Sequence, residues 1–426
     1  MKMKTIARLM PALALGVAAG QAGAAGFQLL EQNASGIGNA YSGSAAVAEN
    51  ASTIFFNPAG MTQLKEREIS AGITAVRPTF KFDDRGSLPG ALTGTGNGGD
   101  AGSWAFLPNA YLSWGVTKDV YVGLGLGAPF GLVTEYHNPW VGGAHALKFD
   151  IKTYNINPSI AWRVNDKVSL GAGASYQKME VEYVRLFSVS SPALAGTSVK
   201  LGAEDWAWGW NVGALFTLSP TTKVGVSYRS KVRHDLQGDL KSSGTAAASI
   251  GNSPASARVD LPDTFILSVA QTLSDRWEML GDISWTGWSS IQNVDIMRYS
   301  SGTGSLAQRL DTQFRDTWRF ALGTNYKLNE TVKLKFGIAY DQTPVRSDET
   351  RLVSLPDSNR TWLSTGAQIK VNKDSTVDLG AAYIKAGESH IYNDQRSTNP
   401  LVNRGLVSGV YDARVWLLGA QYSMAF

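Results

Sequence analysis

The chain has no cysteine among its 426 residues, which excludes a disulfide scaffold and any thiolate metal site. Charge is scarce too. Asp, Glu, Lys and Arg make up 17% of the sequence, against about 25% in an ordinary soluble domain, which argues against a cytosolic enzyme or a charged coiled coil. Histidine is nearly missing: His137, His145, His234 and His390 are scattered without metal-ligand spacing. There is no H-E-x-x-H, no Walker A segment and no G-x-S-x-G. No metal, cofactor or catalytic residue is therefore expected, and an outer-membrane hydrolase is disfavoured. Gly94-x-Gly96-x-x-Gly99 matches a dinucleotide fingerprint in letters only, because no strand precedes it and no helix follows. Beyond the first two dozen residues no apolar run reaches the roughly 20 residues that a membrane-spanning helix needs.

What is present begins with an export signal. Lys2, Lys4 and Arg8 precede an apolar stretch from Leu9 to Ala19, and Ala22-Gly23-Ala24 offers small residues for cleavage. Residues 1–24 read as a signal peptide cut between Ala24 and Ala25. Its loss removes three positive charges and no negative one, so the net charge of +4 falls to +1. A nucleic-acid partner loses its electrostatic support with them. The full chain carries 45 Gly, 13 Trp, 15 Tyr and 15 Phe. An exported chain rich in glycine and aromatics, and poor in charge, fits a transmembrane β-barrel, whose strands alternate lipid-facing and lumen-facing residues.

That alternation can be read directly. Trp206, Trp208, Trp210, Val212, Ala214, Phe216 and Leu218 form one stripe. Val332, Leu334, Phe336, Ile338 and Tyr340 form another, and Trp416, Leu418, Ala420, Tyr422, Met424 and Phe426 a third. A period of two over ten or so residues marks a strand. Short polar connections fall at 117–119, 165–166, 219–222, 274–275, 329–330 and 372–374. Longer Gly/Ser/Asp-rich segments lie between them, at about 83–103, 130–147, 187–200, 240–256, 297–310, 345–359 and 388–410. Six short turns alternating with seven long loops predict an all-β fold, a 14-stranded antiparallel barrel spanning 66–426. Residues 25–65 precede the first strand. They are rich in small residues and nearly uncharged, as in Ser35-Gly36-Ile37-Gly38-Asn39 and Asn57-Pro58-Ala59-Gly60. They read as a plug folded inside the barrel, since disordered tails are usually more charged.

Several segments, taken in order, resemble the FadL/TodX family of outer-membrane transporters for long-chain fatty acids and other hydrophobic compounds. They are Ala25-Gly26-Phe27-Gln28-Leu29, Ser35 to Gly43, Asn57-Pro58-Ala59 and Ala128-Pro129-Phe130-Gly131-Leu132 with Thr134-Glu135-Tyr136. Tyr340-Asp341, Pro344-Val345, Pro356-Asp357, Arg360, Trp362-Leu363-Ser364 and the C-terminal strand complete the set. The resemblance implies a hatch in the lumen and a kinked third strand that opens the wall sideways. Gly127 to Gly131, with Pro129 inside a strand pattern, is where that kink should fall. Asn57, Pro58 and Ala59, with Ala128, Pro129, Gly131 and Asp341, then become hatch and gating residues. The resemblance also places the ligand carboxylate on Arg185 and Arg309. Parity puts Arg309 on a face with Asp311, Gln313, Arg315 and Arg319, a lumen-type set, whereas Arg185 shares its face with both polar and apolar residues. Family members carry Ser where Ala128 stands, which removes one polar contact to the head group. Phe130, Tyr136 and Trp140 are expected to line an exposed capture groove, or to touch lipopolysaccharide. Uptake by spontaneous diffusion is expected, by a monomer in the bacterial outer membrane. Aromatic or alkane hydrocarbons remain rival substrates and a general porin a rival function. The C-terminal strand ending in Phe426 resembles the signal read by the barrel assembly machinery.

Overall fold

The computed structural model describes residues 26–90 and 92–426; the leader at 1–24 and its cleavage point lie outside the described residues. Fourteen antiparallel strands close into a barrel. Strands β1 (Arg67–Asp84) and β2 (Ala105–Gly115) lead into β3, which runs Val120–Gly127 and resumes at Gly131–Glu135. Then come β4 (Lys148–Asn165), β5 (Val168–Leu186) and β6 (Ser198–Ser219). Four broken strands follow: β7 (Thr222–Arg229, Val232–Ser243), β8 (Ser253–Leu261, Thr264–Thr272), β9 (Trp277–Thr286, Asn293–Ser300) and β10 (Thr303–Asp311, Thr317–Lys327). The barrel ends with β11 (Val332–Asp341), β12 (Arg360–Lys370), β13 (Ser375–Ala386, Ser389–Gln395) and β14 (Gly405–Ala425). Closure is made by β1 on β14, in register from Glu68↔Ala425 to Asp84↔Gly409. Among the described residues no helix is long and apolar enough to cross a membrane; the strands do so.

The six short turns fall where the sequence puts them. The long segments differ in part. Residues 297–310 are mostly strand and 240–256 is strand at both ends, and β9 and β10 meet at Ser301-Gly302, both with positive φ (49° and 81°). These outer hairpins rise above the bilayer, where a polar exterior hides the alternation that marks a strand. The bilayer zone itself is plain. Trp208, Trp210, Val212, Ile338, Leu418 and Phe426 all point outward, while their neighbours Ala207, Asn211, Ala339 and Leu417 are buried. Above the stacked Tyr176 and Trp206 the outer face of β4–β6 turns into ion pairs, including Lys148–Glu182 at 3.0 Å and Lys178–Glu204 at 2.8 Å. That change marks the upper edge of the membrane.

Residues 26–64 pack inside the barrel, built from short 3-10 turns and one helical turn at Thr53–Phe56. Lumen-facing glycines let this hatch touch the wall's backbone. A Cβ on Gly225 would stand 1.9 Å from Ala45 O, one on Gly213 2.1 Å from Asn57 Oδ1, and one on Gly337 2.2 Å from the Asn39 carbonyl carbon. Gly171, Gly323, Gly366, Gly380 and Gly419 are closed off by the hatch in the same way. Much of the chain's glycine is thus a belt that leaves room for the plug. Towards the periplasmic end, Glu49 of the hatch bridges Lys333 (2.8 Å) and buried Lys335 (2.6 Å), which also holds Asp378 at 3.1 Å. Gly225→Leu should unseat the hatch and give steady ion conductance in planar bilayers, where the parent barrel should be nearly silent. Gly202→Leu, with no heavy atom within 4 Å of the new Cβ, should stay silent. Equal conductance from the two variants would contradict the role given to the belt.

Candidate functional site

The lumen changes character with height. Along β5, Ser169 bonds Thr62 of the hatch at 2.7 Å and Ser175 and Gln177 are buried on the same side, whereas Met179, Val181 and Tyr183 further along it line an apolar chamber. This chamber is walled by Phe27, Phe149, Ile151, Leu236, Val259, Ile296, Leu310, Phe314 and Leu355 among others, and among the described residues no ionisable group except Tyr183 lines it. Counting the solvent it opens to, it encloses about 650 Å³. Polarity is therefore inverted here: apolar residues point in and charged ones point out.

Above the chamber, and sharing Tyr183, Leu201 and Ile296 with it, lies a mouth lined by Arg185, Arg298 and Arg404 but, among the described residues, by no Asp or Glu. Arg185 is 7% exposed. It donates through Nε to Gln308 Oε1 at 2.5 Å and through one terminal nitrogen to the carbonyls of Leu186 and Phe187 at 2.9 and 3.1 Å. Gln308 is fixed in turn by donating to the Tyr183 hydroxyl at 3.0 Å. Arg404 donates to Gln395 Oε1 at 3.2 Å, and its buried Nε has no acceptor. The rim carries Leu306, Leu401 and Val402, each about half exposed. The structure thus places Arg185 in the lumen. Arg309 is elsewhere, on the outer surface, paired with Asp295 at 2.6 and 2.7 Å. Parity misplaced it for a local reason. Odd residues point inward in Thr317–Lys327, but the break at 312–316 shifts the phase, so even residues such as Gln308 and Leu310 point inward in Thr303–Asp311.

The third strand is interrupted at Ala128, Pro129 and Phe130, and five backbone polar groups at the break find partners inside the protein. Ala128 O accepts from Gln32 Nε2 (2.7 Å) and Pro129 O from Leu29 N (2.8 Å). Gly131 N donates to Phe27 O (2.8 Å), while Phe130 N and O both bond Thr153 Oγ1, at 2.9 and 2.7 Å. The arm Phe27–Leu29 therefore lies on the gap like an added strand. Phe27 and Phe130 pack around Trp288, whose ring is fully buried and whose N–H has no acceptor. Ala128 packs with Leu30 and Phe55 against the hatch, not beside Arg185. Asn57 joins hatch to wall by donating to Ala45 O (2.7 Å) and to Ala214 O of β6 (2.9 Å), and its Oδ1 accepts from Ala59 N behind Pro58. Asp341 is buried at the top of β11, opposite Arg319 and Arg360 in the sheet register.

Two expectations for the loop after β3 are corrected. Tyr136 and Trp140 do not form an exposed groove: they are stacked, with ring centroids 3.9 Å apart, and buried against Phe82 and Tyr411. Phe130 is buried as well. The exposed apolar surface beside the mouth is instead Leu306, Leu401 and Val402. Arg298, Arg404 and Arg229 escaped the sequence reading, because a lone arginine carries no spacing signal; Arg319 lies on the lumen face that parity gives it.

A plugged barrel in the outer membrane, with an apolar chamber under a cationic mouth, defines the class of outer-membrane transport proteins. The profile described as "Outer membrane protein transport protein (OMPP1/FadL/TodX)" matches residues 15–426. The chain belongs to that family. It is 29% identical to the long-chain fatty acid transport protein of Escherichia coli O6:H1, over 97% of each chain. It is 32% identical to outer membrane protein P1 of Haemophilus influenzae, over 91% of this chain and 92% of that one. Its fold matches a Pseudomonas aeruginosa FadL homologue with a TM-score of 0.84 at 23% identity, covering 94% and 99% of the two chains. The Pseudomonas putida toluene transporter TodX matches with a TM-score of 0.71 at 17% identity, over 92% and 98%.

His145, in the loop between β3 and β4, braces the mouth from behind. It is 4% exposed, and Nε2 lies 3.2 Å from Gly405 O. Burial pushes its pKa down from 6.5 to about 4; the Gly405 carbonyl opposes this, and Arg404 and Arg185 add to it. The folded protein thus holds the imidazole neutral, and the stability this gives is intact above about pH 6.5 and lost as pH falls towards 4. At 1.36 kcal/mol per pK unit the full loss is about 3 kcal/mol. Hydrogen exchange of residues 136–147, corrected for intrinsic rates, should speed up between pH 7 and 4.5 in the parent and much less in His145→Gln. Identical pH profiles would remove this role.

Proposed function

We propose that the protein takes up long-chain fatty acids across the outer membrane. One observation carries the reading: three arginines and no carboxylate line the mouth of a chamber that is otherwise apolar. A carboxylate would satisfy the cationic mouth, where low dielectric strengthens the pairing. The tail would fill the chamber, each buried methylene contributing about 0.8 kcal/mol. Relatives described as long-chain fatty acid transport proteins support the substrate class. The ligand then moves down its own gradient. Withdrawal of the Phe27–Leu29 arm bares the gap at Ala128–Phe130, Asn57 and Asp341 steady the hatch below, and the ligand leaves sideways into the bilayer.

An aromatic hydrocarbon would also fit the chamber, and a neighbour of the same fold is described as a toluene transporter. Such a ligand leaves the three arginines without a counter-charge, so the acid is favoured. Arg185→Gln should raise the half-saturating concentration for palmitate uptake about tenfold and change toluene uptake less than twofold. Palmitate uptake unchanged by Arg185→Gln would reject the head-group assignment. A steady conductance from the parent barrel would favour a general porin instead.

A further inference from the structure

Below the N-terminal arm lies a second cavity that the mouth and chamber leave unexplained. Gln28, Phe55, Arg229, Arg319 and Asp341 are among its lining residues. It sits under the breaks in β7–β10, at the upper ends of their inner segments. The arm divides it from the chamber. Gln28 Nε2 donates to Thr264 Oγ1 at 3.1 Å and Gln28 Oε1 accepts from Thr286 Oγ1 at 3.2 Å, while the adjacent Phe27 lines the chamber above.

Among the described residues, every hydrogen-bond acceptor of the Arg229 guanidinium is neutral. Arg229 donates to Ser175 Oγ (2.8 Å), Phe55 O (2.9 Å) and Asn157 Oδ1 (3.3 Å), and lies 4.2 Å from the centre of the Phe55 ring. Arg319 is 6% exposed, donates to Ala40 O at 2.6 Å, and keeps a buried Nε with no acceptor. Asp341 lines the cavity as the register neighbour of Arg319. The surplus positive charge therefore sits on the Arg229 side. That side faces the exit. Asn157 is the register partner of Gly125, two residues before the first segment of β3 ends at Gly127. A half-buried cation held only by neutral dipoles, in an open space beside the gap, is a binding site for an anion.

We infer that Arg229, backed by Arg319, is a second carboxylate station on the path. When the arm withdraws, the head group passes from Arg185 to Arg229, so the charge stays neutralised while the tail turns towards the break in β3. The inference rests on the proposed fatty-acid uptake and adds a step to it. The test uses the full-length protein in proteoliposomes, with palmitate and hexadecanol as probes. Arg229→Gln should lower the maximal palmitate rate at least fivefold, with less than a twofold change in the half-saturating concentration, which the mouth sets. Hexadecanol uptake should fall less than twofold, and Arg229→Lys should restore at least half of the palmitate rate. An equal loss for acid and alcohol would mean that Arg229 only anchors the hatch through Phe55, and an unaltered palmitate rate would mean that it lies off the path; either overturns the inference. A parent protein that takes up hexadecanol but not palmitate would reject the fatty-acid reading itself, and this station with it.

Discussion

Nothing in the core of a bilayer can accept or donate a hydrogen bond, so every peptide group held there must be paired within the protein. The rest of this structure follows from that constraint. It forces the wall to close, β1 on β14. A closed ring of fourteen strands is wide enough to need filling, and the hatch fills it. Where the wall breaks, the constraint remains in force. The groups freed at Ala128–Phe130 are taken up by Gln32, Leu29 and Phe27 of the arm and by Thr153 of β4. The gap thus persists at membrane depth because the hatch arm and Thr153 pair it from within. The same contacts couple the arm to the gap: the arm cannot move without exposing those groups, unless something replaces it.

The lumen above the hatch answers a second requirement, that an amphiphile needs two environments in sequence. The chamber is apolar because its lining comes from strand segments whose charges have moved to the outer face, where water and lipid head groups can solvate them. The mouth holds three cations close together with no internal counter-charge, an arrangement that costs desolvation and repulsion unless an anion arrives. A site that is electrostatically incomplete in the empty protein selects the ligand that completes it. The mouth and the station around Arg229 share this property, which the ion-paired cluster of Glu49, Lys333, Lys335 and Asp378 lacks.

The barrel was legible because period-two alternation and short turns are local signals. Trp206 to Leu218 and Trp416 to Phe426 needed no tertiary information. The family resemblance implied a kink, and one proline between glycines placed it at Gly127 to Gly131. The positions of Arg185 and Arg309 were half legible, and one physical assumption accounts for both. Taking the lumen face as polar throughout made Arg185 look ambiguous, because Met179 and Val181 share its side, and made Arg309 look secure among Asp311 and Gln313. In the structure the lumen is polar only where the hatch fills it. Above that level the apolar side is the inside, and the break at 312–316 reverses the phase between Arg309 and Arg319. Tyr136 and Trp140 misled for a related reason: aromatics in an outer loop read as exposed until their packing partners, Phe82 and Tyr411 from distant strands, are known. The five arginines of the mouth and of the lower cavity come from five different strands or loops, and no linear spacing joins them.

The central claim is that an amphiphilic acid lies with its carboxylate at the mouth and its tail in the chamber. A crystal structure with a long-chain fatty acid brominated at its terminal carbon tests this directly, because anomalous scattering locates the bromine independently of the rest of the ligand. The account predicts a bromine peak deep in the chamber, among Phe149, Leu236 and Phe314, with the carboxylate within hydrogen-bond distance of Arg185. A bromine at the rim near Leu306 and Leu401, or an empty chamber at saturating ligand, would contradict it.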